Sequence, residues 1–316
     1  MKQRDTAIDI AKAIGIILMI IGHCAIPASI RNLIFSFHMP LFIIFSGYFF
    51  KQQDTTNVIK KGFTHLVKPY VITAIVCIIL CVIKQNYEGA LSKCFAMMLG
   101  SGSGHWFGDK APVIGPIWFL LSLFWCKVIY NIIVQKTKHV FIVSFMISTI
   151  AFVFGKYVTT LPLGILYGLC SLVFYSMGHY WRESNFKPNY IHLTVGCLVW
   201  FVCVWKGYLE MANYSCSLYP ISMIGAFVGT YITYLCSKKI PIQLSSMMVW
   251  IGNNTMLILC YHTIYFYIEG VLNHYIFAPN GIKLTSLLSV VLSFTISFGF
   301  PIIHTFIVDK FIKGEA

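Results

Sequence analysis

Charge is scarce in this chain: only 10% of its 316 residues are Asp, Glu, Lys or Arg, against 58% hydrophobic. Both values fall outside the range of soluble domains, so the bilayer is the expected solvent. Long polar stretches are missing too. Ten helices of about 20 apolar residues each, with short connections, would use nearly the whole chain and leave no room for a soluble catalytic domain. Nor is there sustained alternation of polar and apolar residues. Ala74 to Val82 and Ser286 to Phe298 are almost unbroken apolar runs, whereas an outer-membrane barrel needs alternating strands of about ten residues. The fold class is therefore all-α: a polytopic helical membrane bundle of about ten transmembrane helices, read as one integral-membrane domain over residues 1–316.

Acidic residues are the rarer charges, with 10 Asp and Glu against 23 Lys and Arg, for a net charge of +13. In a soluble protein such an excess would suggest nucleic acid. Here the basic residues lie at helix ends rather than in a stripe, the pattern of anchoring against anionic lipid, so the partner is the bilayer and no nucleic acid is expected. The 11 cysteines include no C-x-x-C pair, which excludes a disulfide framework or a zinc-ribbon spacing. Most lie in apolar runs, where a thiol behaves as a small hydrophobe. The histidines have no H-E-x-x-H or other local ligand spacing, and no metal is expected. Matching pairs of interrupted helices in the two halves, the pattern of an inverted-repeat transporter, are also missing.

The apolar runs predict spans at 8–27, 33–50, 66–84, 115–135, 139–155, 160–180, 190–207, 219–236, 247–270 and 284–308. An interfacial helix is expected from Glu88 to Leu99, and a long loop from Gly100 to Gly115. The first run resembles a cleaved leader, but Asp9 and Lys12 interrupt the region a leader keeps apolar, so it reads as a membrane span. With a cytoplasmic N-terminus, 15 of the 23 lysines and arginines fall inside, seven outside, and Lys12 within the first helix. That bias places both termini in the cytoplasm.

Ionisable groups inside a bilayer are costly and mark function. The first span carries Asp9, Lys12 and His23. Eleven residues separate Lys12 from His23, so on a helix they differ by only about 20° in azimuth and about 16 Å along the axis. Asp9 can pair with Lys12 at i, i+3, and the simplest alternative has Lys12 reaching the interface with Asp9 as counter-ion. Pro27 to Asn32 forms a tight connection, so the second span returns antiparallel and brings His38 to the depth of His23. The two imidazoles are expected to face each other across this hairpin; for His38 a bond to a backbone carbonyl is the alternative. His262 falls at similar depth in the ninth span. His65, His105, His139, His179, His192, His274 and His304 receive no role.

The segment from Ile8 to His23 (IDIAKAIGIILMIIGH), then Phe37-His38-Met39-Pro40-Leu41-Phe42 and Phe45-Ser46-Gly47-Tyr48, resembles the integral-membrane acyltransferase-3 family, in particular its fucose 4-O-acetylase-like branch. Lys60 and Lys61 followed by Leu66 to Tyr70 (LVKPY), Pro116-Ile117-Trp118-Phe119-Leu120, and Ile251-Gly252 through His262 extend the likeness in order to about residue 265. The resemblance implies a multi-pass O-acyltransferase of the bacterial inner membrane. Such an enzyme takes an acyl group, usually acetyl from cytoplasmic acetyl-CoA, to a hydroxyl of a carbohydrate or lipid-linked glycan. The family's basic-x10-His motif falls on Lys12 and His23, with lysine where members more often carry arginine, which keeps the charge and loses the bidentate fork.

The separation of about 16 Å along the helix compares with an extended pantetheine arm, so a phosphate near Lys12 would leave its thioester near His23. In this scheme His23 is the general base, and His38 orients it or shares its proton. Lys12, Lys60 and Lys61, with Lys68, would hold the nucleotide phosphates. Arg31, Trp118 and His262 would shape the acceptor end or stabilise the oxyanion. Lys93, His105, Trp106, Asp109 and Tyr208 could meet a sugar, although aromatics at a membrane interface need no ligand. Direct transfer and an acyl-histidine stay open. So do a succinyl donor, a transporter or flippase of polar solutes, and a structural scaffold, which leaves the intramembrane Lys and His unexplained.

Overall fold

Asp5 accepts a hydrogen bond from the Ala7 amide at 3.0 Å and starts helix α1, Thr6–Gly22. Its other carboxylate oxygen accepts from the Tyr234 hydroxyl at 2.9 Å, and Ser237 Oγ donates to the Ala7 carbonyl at 2.7 Å. The first turn of α1 is thus fixed to a helix more than 200 residues away in sequence. The computed structural model describes residues 5–102, 105–106, 109–110, 112–155, 157, 161–184, 187–206, 209–216, 218–281, 285–308 and 310.

The chain continues through α2 (Ala28–Phe35), α3 (His38–Tyr48), α4 (Thr55–Gly62), α5 (Lys68–Ile83), α6 (Tyr87–Leu99) and α7 (Trp118–Lys136). Then follow α8 (Val140–Gly155), α9 (Ile165–Ser184), α10 (Tyr190–Lys206), α11 (Ile221–Ser237), α12 (Ile242–Asn253), α13 (Thr255–Leu272), α14 (Ser286–Phe294) and α15 (Phe300–Ile307). Single π-helical turns at Phe63–Val67 and Thr295–Gly299 join α4 to α5 and α14 to α15. Among the described residues, strands are limited to two short antiparallel pairs, Leu209–Glu210 with Ser215–Cys216 and His105–Trp106 with Asp109–Lys110. Five helical stretches are long and apolar enough to cross a membrane: Ala28–Tyr48, Thr55–Ile83, Trp118–Lys136, Thr255–Phe277 and Leu287–Ile307. Shorter apolar helices stand beside them. The molecule is an all-α membrane bundle.

Each predicted span overlaps one or two of these helices, and α6 occupies the predicted interfacial stretch, but the connection expected at Pro27 to Asn32 is helical from Ala28 onward, and residues 23–27 join α1 to α2 instead. Two spans are broken where the apolar pattern runs on. The second divides at Ser36 and Phe37, because Pro40 has no N–H for the Ser36 carbonyl and its ring would collide with it in a continuous helix. Phe37 leaves helical geometry at φ −144°, ψ −19°. Trp200 Nε1–H holds the break by donating to Ser36 Oγ at 2.8 Å. The ninth divides at Asn254, φ −105°, ψ 16°, whose side-chain amide donates to the Trp250 carbonyl at 2.8 Å. An Asn side chain bonded to nearby backbone competes with the helix ladder.

Small residues face inward and bulky aliphatics outward, as helices in lipid require. On α5, Thr73, Ala74, Cys77 and Cys81 are buried while Ile72, Ile75 and Ile79 are exposed. Where α3 crosses α9, a Cβ on Gly47 would overlap the Tyr175 carbonyl and one on Gly178 the Ile44 carbonyl. A Cβ on Gly252 of α12 would likewise overlap the Asp9 carbonyl. α1 packs among α2, α3, α11, α12 and α13, so its polar residues look into the bundle.

Candidate active site

Lys12 pairs with Asp9 at 2.8 Å, and the two side chains are 23% and 5% exposed. One to three turns further on, the same helix carries Ile16, Met19 and His23. His23 caps the C-terminus of α1, and its Nδ1 lies 2.8 Å from the Met19 carbonyl. A carbonyl only accepts, so Nδ1 carries the proton and Nε2 keeps a free lone pair. His38 repeats the device across the α2–α3 break, with Nδ1 donating to the Ile34 carbonyl at 2.9 Å. Both rings are therefore held in the tautomer that leaves Nε2 as a base.

Two chambers flank this stretch of α1. One, of about 510 Å³, is lined by Lys12, Lys51, Lys61 and Lys127, with Gln53 and His65 and an aromatic wall including Phe42, Phe45 and Phe119. The other, of about 830 Å³, is lined by His23, His38, Arg31, Lys93, Glu210 and Trp118, with Phe35 and Phe266 among its apolar walls. Met19, Met39 and Leu259 line both chambers, so the two adjoin with these three side chains between them. The Lys12 chamber carries a cluster of cations suited to an anionic group. The His23 chamber presents a base, a guanidinium, an ammonium and a carboxylate beside aromatic rings.

The sequence-derived candidates divide between the two chambers. Lys12 and Lys61 line the first; Lys61 Nζ donates to Gln53 Oε1 at 2.6 Å. Lys60 and Lys68 are exposed and are not among its lining residues. His23, His38, Arg31 and Trp118 line the second, where the Arg31 guanidinium donates to the Cys24 carbonyl at 3.3 Å. Trp118 is held against Tyr167 at a ring separation of 4.7 Å.

His262 has the less expected position. Its ring centroid is 5.4 Å from that of His23, edge to face. It is fully buried, with Nδ1 3.1 Å from Ser297 Oγ in the π-turn Thr295–Gly299 and Nε2 without a hydrogen-bond partner. His262 is thus packed against the base rather than placed on the chamber wall.

The expectation that His23 and His38 face each other directly is modified. The space beside Gly22 is filled by the Phe35 ring, 3.1 Å from where a Cβ would be. Phe35 touches both imidazoles, at centroid distances of 6.1 Å to His23 and 4.8 Å to His38. Of the loop residues considered for a sugar, Lys93 lines the His23 chamber. His105, Trp106 and Asp109 are described only in their backbone, and Tyr208 lies outside the described residues.

Lys51, Lys127 and Glu210 escape the sequence reading. Lys127 had a signal: it lies ten residues into the apolar stretch of α7 and is half-buried. Glu210 had none, since the strand pair at 209–216 must fold back over the chamber to bring it near Arg31. Burial pushes its carboxyl up from the usual carboxylate range, while the Asn213 amide and the Arg31 charge pull it back. Among the described residues, no group of three or more His, Cys, Asp or Glu side chains is placed to hold a metal ion.

The sequence profile of the acyltransferase 3 family, described as an acyltransferase domain, matches residues 5–306. No curated protein and no solved structure matches the chain.

Proposed function

The chain belongs to the acyltransferase 3 family, and on that premise we propose that it moves an acyl group, acetyl above all, from acyl-CoA in the Lys12 chamber to a hydroxyl in the His23 chamber. The acceptor is a carbohydrate or lipid-linked glycan, and the protein works in the bacterial inner membrane with both termini in the cytoplasm. The observation that carries this reading is the end-to-end placement of two chambers along one helix. Four lysines line one chamber, and two Nε2 bases, with Arg31 and Lys93, line the other, with Met19, Met39 and Leu259 between them.

The chemistry follows from the residues. Lys12, Lys51, Lys61 and Lys127 hold the nucleotide phosphates by charge-assisted hydrogen bonds, and the pantetheine arm runs along α1 toward His23. His23 Nε2 takes the proton of the acceptor hydroxyl as its oxygen bonds to the thioester carbon. The C–S bond then breaks, the acyl ester stays on the acceptor, and the coenzyme A sulfur takes the proton back from the imidazolium. Arg31 stabilises the oxyanion formed between these steps. His38 and His262 position the base, and Trp118 with Glu210 seats the acceptor.

End-to-end chambers would also suit a pathway for a polar solute. Purified protein given labelled acetyl-CoA separates the two. Label on an acceptor glycan, or slow hydrolysis without one, supports transfer, and solute flux with neither would overturn it. Mass spectrometry of the surface glycan from a deletion strain identifies both acyl group and acceptor.

A further inference from the structure

Lys127, Asn131 and Gln135 follow one another at intervals of four on α7, a spacing that puts them on one side of the helix. Lys127 lines the Lys12 chamber. The two amides bond instead to the segment between α3 and α4. Asn131 is fully buried. Its Oδ1 accepts from the Gln53 backbone N–H at 3.1 Å, and its Nδ2 donates to the Gln53 carbonyl at 2.9 Å and to Thr55 Oγ1 at 3.3 Å. Gln135 Nε2 donates to the same carbonyl at 2.9 Å. Both backbone groups of Gln53 and the first residue of α4 are thereby tied to α7. A second anchor lies three residues earlier, where the Phe50 ring packs edge to face on Tyr130 and His179 at 5.0 Å and 4.8 Å. Lys51 falls between the two anchors. Lys61, in the last turn of α4, donates to the Gln53 side chain at 2.6 Å.

From this geometry we infer that Asn131 is a positioning residue for the acyl donor: by clamping Gln53 and Thr55 to α7, it holds Lys51 and Lys61 in register with Lys127 as one phosphate-binding cluster. The inference rests on the acyl-transfer reading and adds to it the residue that assembles the donor site. Lys51 and Lys61 are exposed, and on a free segment each would surrender backbone as well as side-chain freedom when it met a phosphate. The clamp removes the backbone part of that cost before the donor arrives, which is preorganisation. Asn131 itself is not among the residues lining the chamber. Its influence is therefore confined to donors that carry nucleotide phosphates.

The test compares acetyl-CoA with acetyl-pantetheine, which has the same thioester and no nucleotide. Asn131→Ala raises the Kd for coenzyme A, measured by titration calorimetry, by about tenfold, as expected for the loss of two or three hydrogen bonds that organise the site. Thiol release at saturating acetyl-CoA stays within about twofold of wild type, and KM for acetyl-pantetheine is unmoved, because no contact to the thioester end is lost. Gln135→Ala, at an exposed position where folding is not at stake, raises the same Kd by about threefold for its single bond. In a Lys51→Ala, Lys61→Ala background, Asn131→Ala adds little, since the cations it places are gone. Melting temperature shows which variants are folded; if Asn131→Ala is not, Gln135→Ala decides. A folded variant that keeps the wild-type Kd, that impairs acetyl-pantetheine as much as acetyl-CoA, or that adds its full effect to the double lysine variant refutes the clamp while acyl transfer stands. If wild type neither binds coenzyme A nor releases thiol from acetyl-CoA, the acyl-transfer reading falls and takes the clamp with it.

Discussion

The imidazoles of His23 and His262 meet edge to face with centroids 5.4 Å apart, one at the chamber and the other buried behind it. His262 is tied through Nδ1 to Ser297, so the second ring holds the first against the end of α1. Replacing His262 with Gln should lower kcat by about tenfold to a hundredfold, the range for a slightly misplaced catalytic group, with KM for acyl-CoA little altered. Steady-state kinetics on the folded variant checks this; a parallel rise in KM would assign His262 to binding instead.

The cations of the Lys12 chamber should act on donor affinity. Lys12→Ala and Lys127→Ala should each raise the Kd for coenzyme A by about tenfold or more, as expected for loss of a charge-assisted contact to phosphate. Lys60→Ala should leave it nearly as it is, since Lys60 is exposed and outside the chamber lining. Titration calorimetry distinguishes the three variants.

The α3–α9 crossing should tolerate no added methyl. Gly47→Ala and Gly178→Ala each force a Cβ onto a backbone carbonyl of the facing helix, so each should cost about 1–3 kcal/mol or more by overpacking. Thermal melts in detergent report the loss. Because α3 carries His38 and Met39, activity should fall together with stability.

Much of this architecture is legible in the sequence, because lipid demands long apolar helices and Lys12 and His23 are expensive there. The breaks at Phe37 and Asn254 are harder to see. Pro40 signals the first, but the second depends on a local Asn bond that the apolar pattern hides. The i, i+11 geometry of α1 places Lys12 and His23 on one line before any packing is known. His262 beside His23, Phe35 between two histidines, and Glu210 over the chamber all depend on contacts between elements far apart in sequence, which no local spacing encodes.

Glu210 gives the acceptor side a pH response. Its carboxyl is raised by burial and held partly back by Asn213 and Arg31, so it protonates at a higher pH than an ordinary carboxylate. As pH falls through that raised value, Glu210 loses its charge and its strength as an acceptor for sugar hydroxyls, and KM for the acceptor should rise. Glu210→Gln should show a high acceptor KM at all pH values and lose this acid limb. An unchanged pH profile in the variant would remove Glu210 from the acceptor site.

The most direct measurement needs no knowledge of the acceptor. In a His23→Cys variant, a thiolate at position 23 can attack the thioester of acetyl-CoA, taking the acetyl group as coenzyme A leaves as its thiolate. Peptide mass spectrometry after incubation should find acetyl at position 23 well above the level at exposed Cys94, Cys197 and Cys236, and much less of it when Lys12→Ala is added. Acetylation at position 23 no greater than at those three cysteines would contradict passage of the thioester from the Lys12 chamber to the His23 chamber.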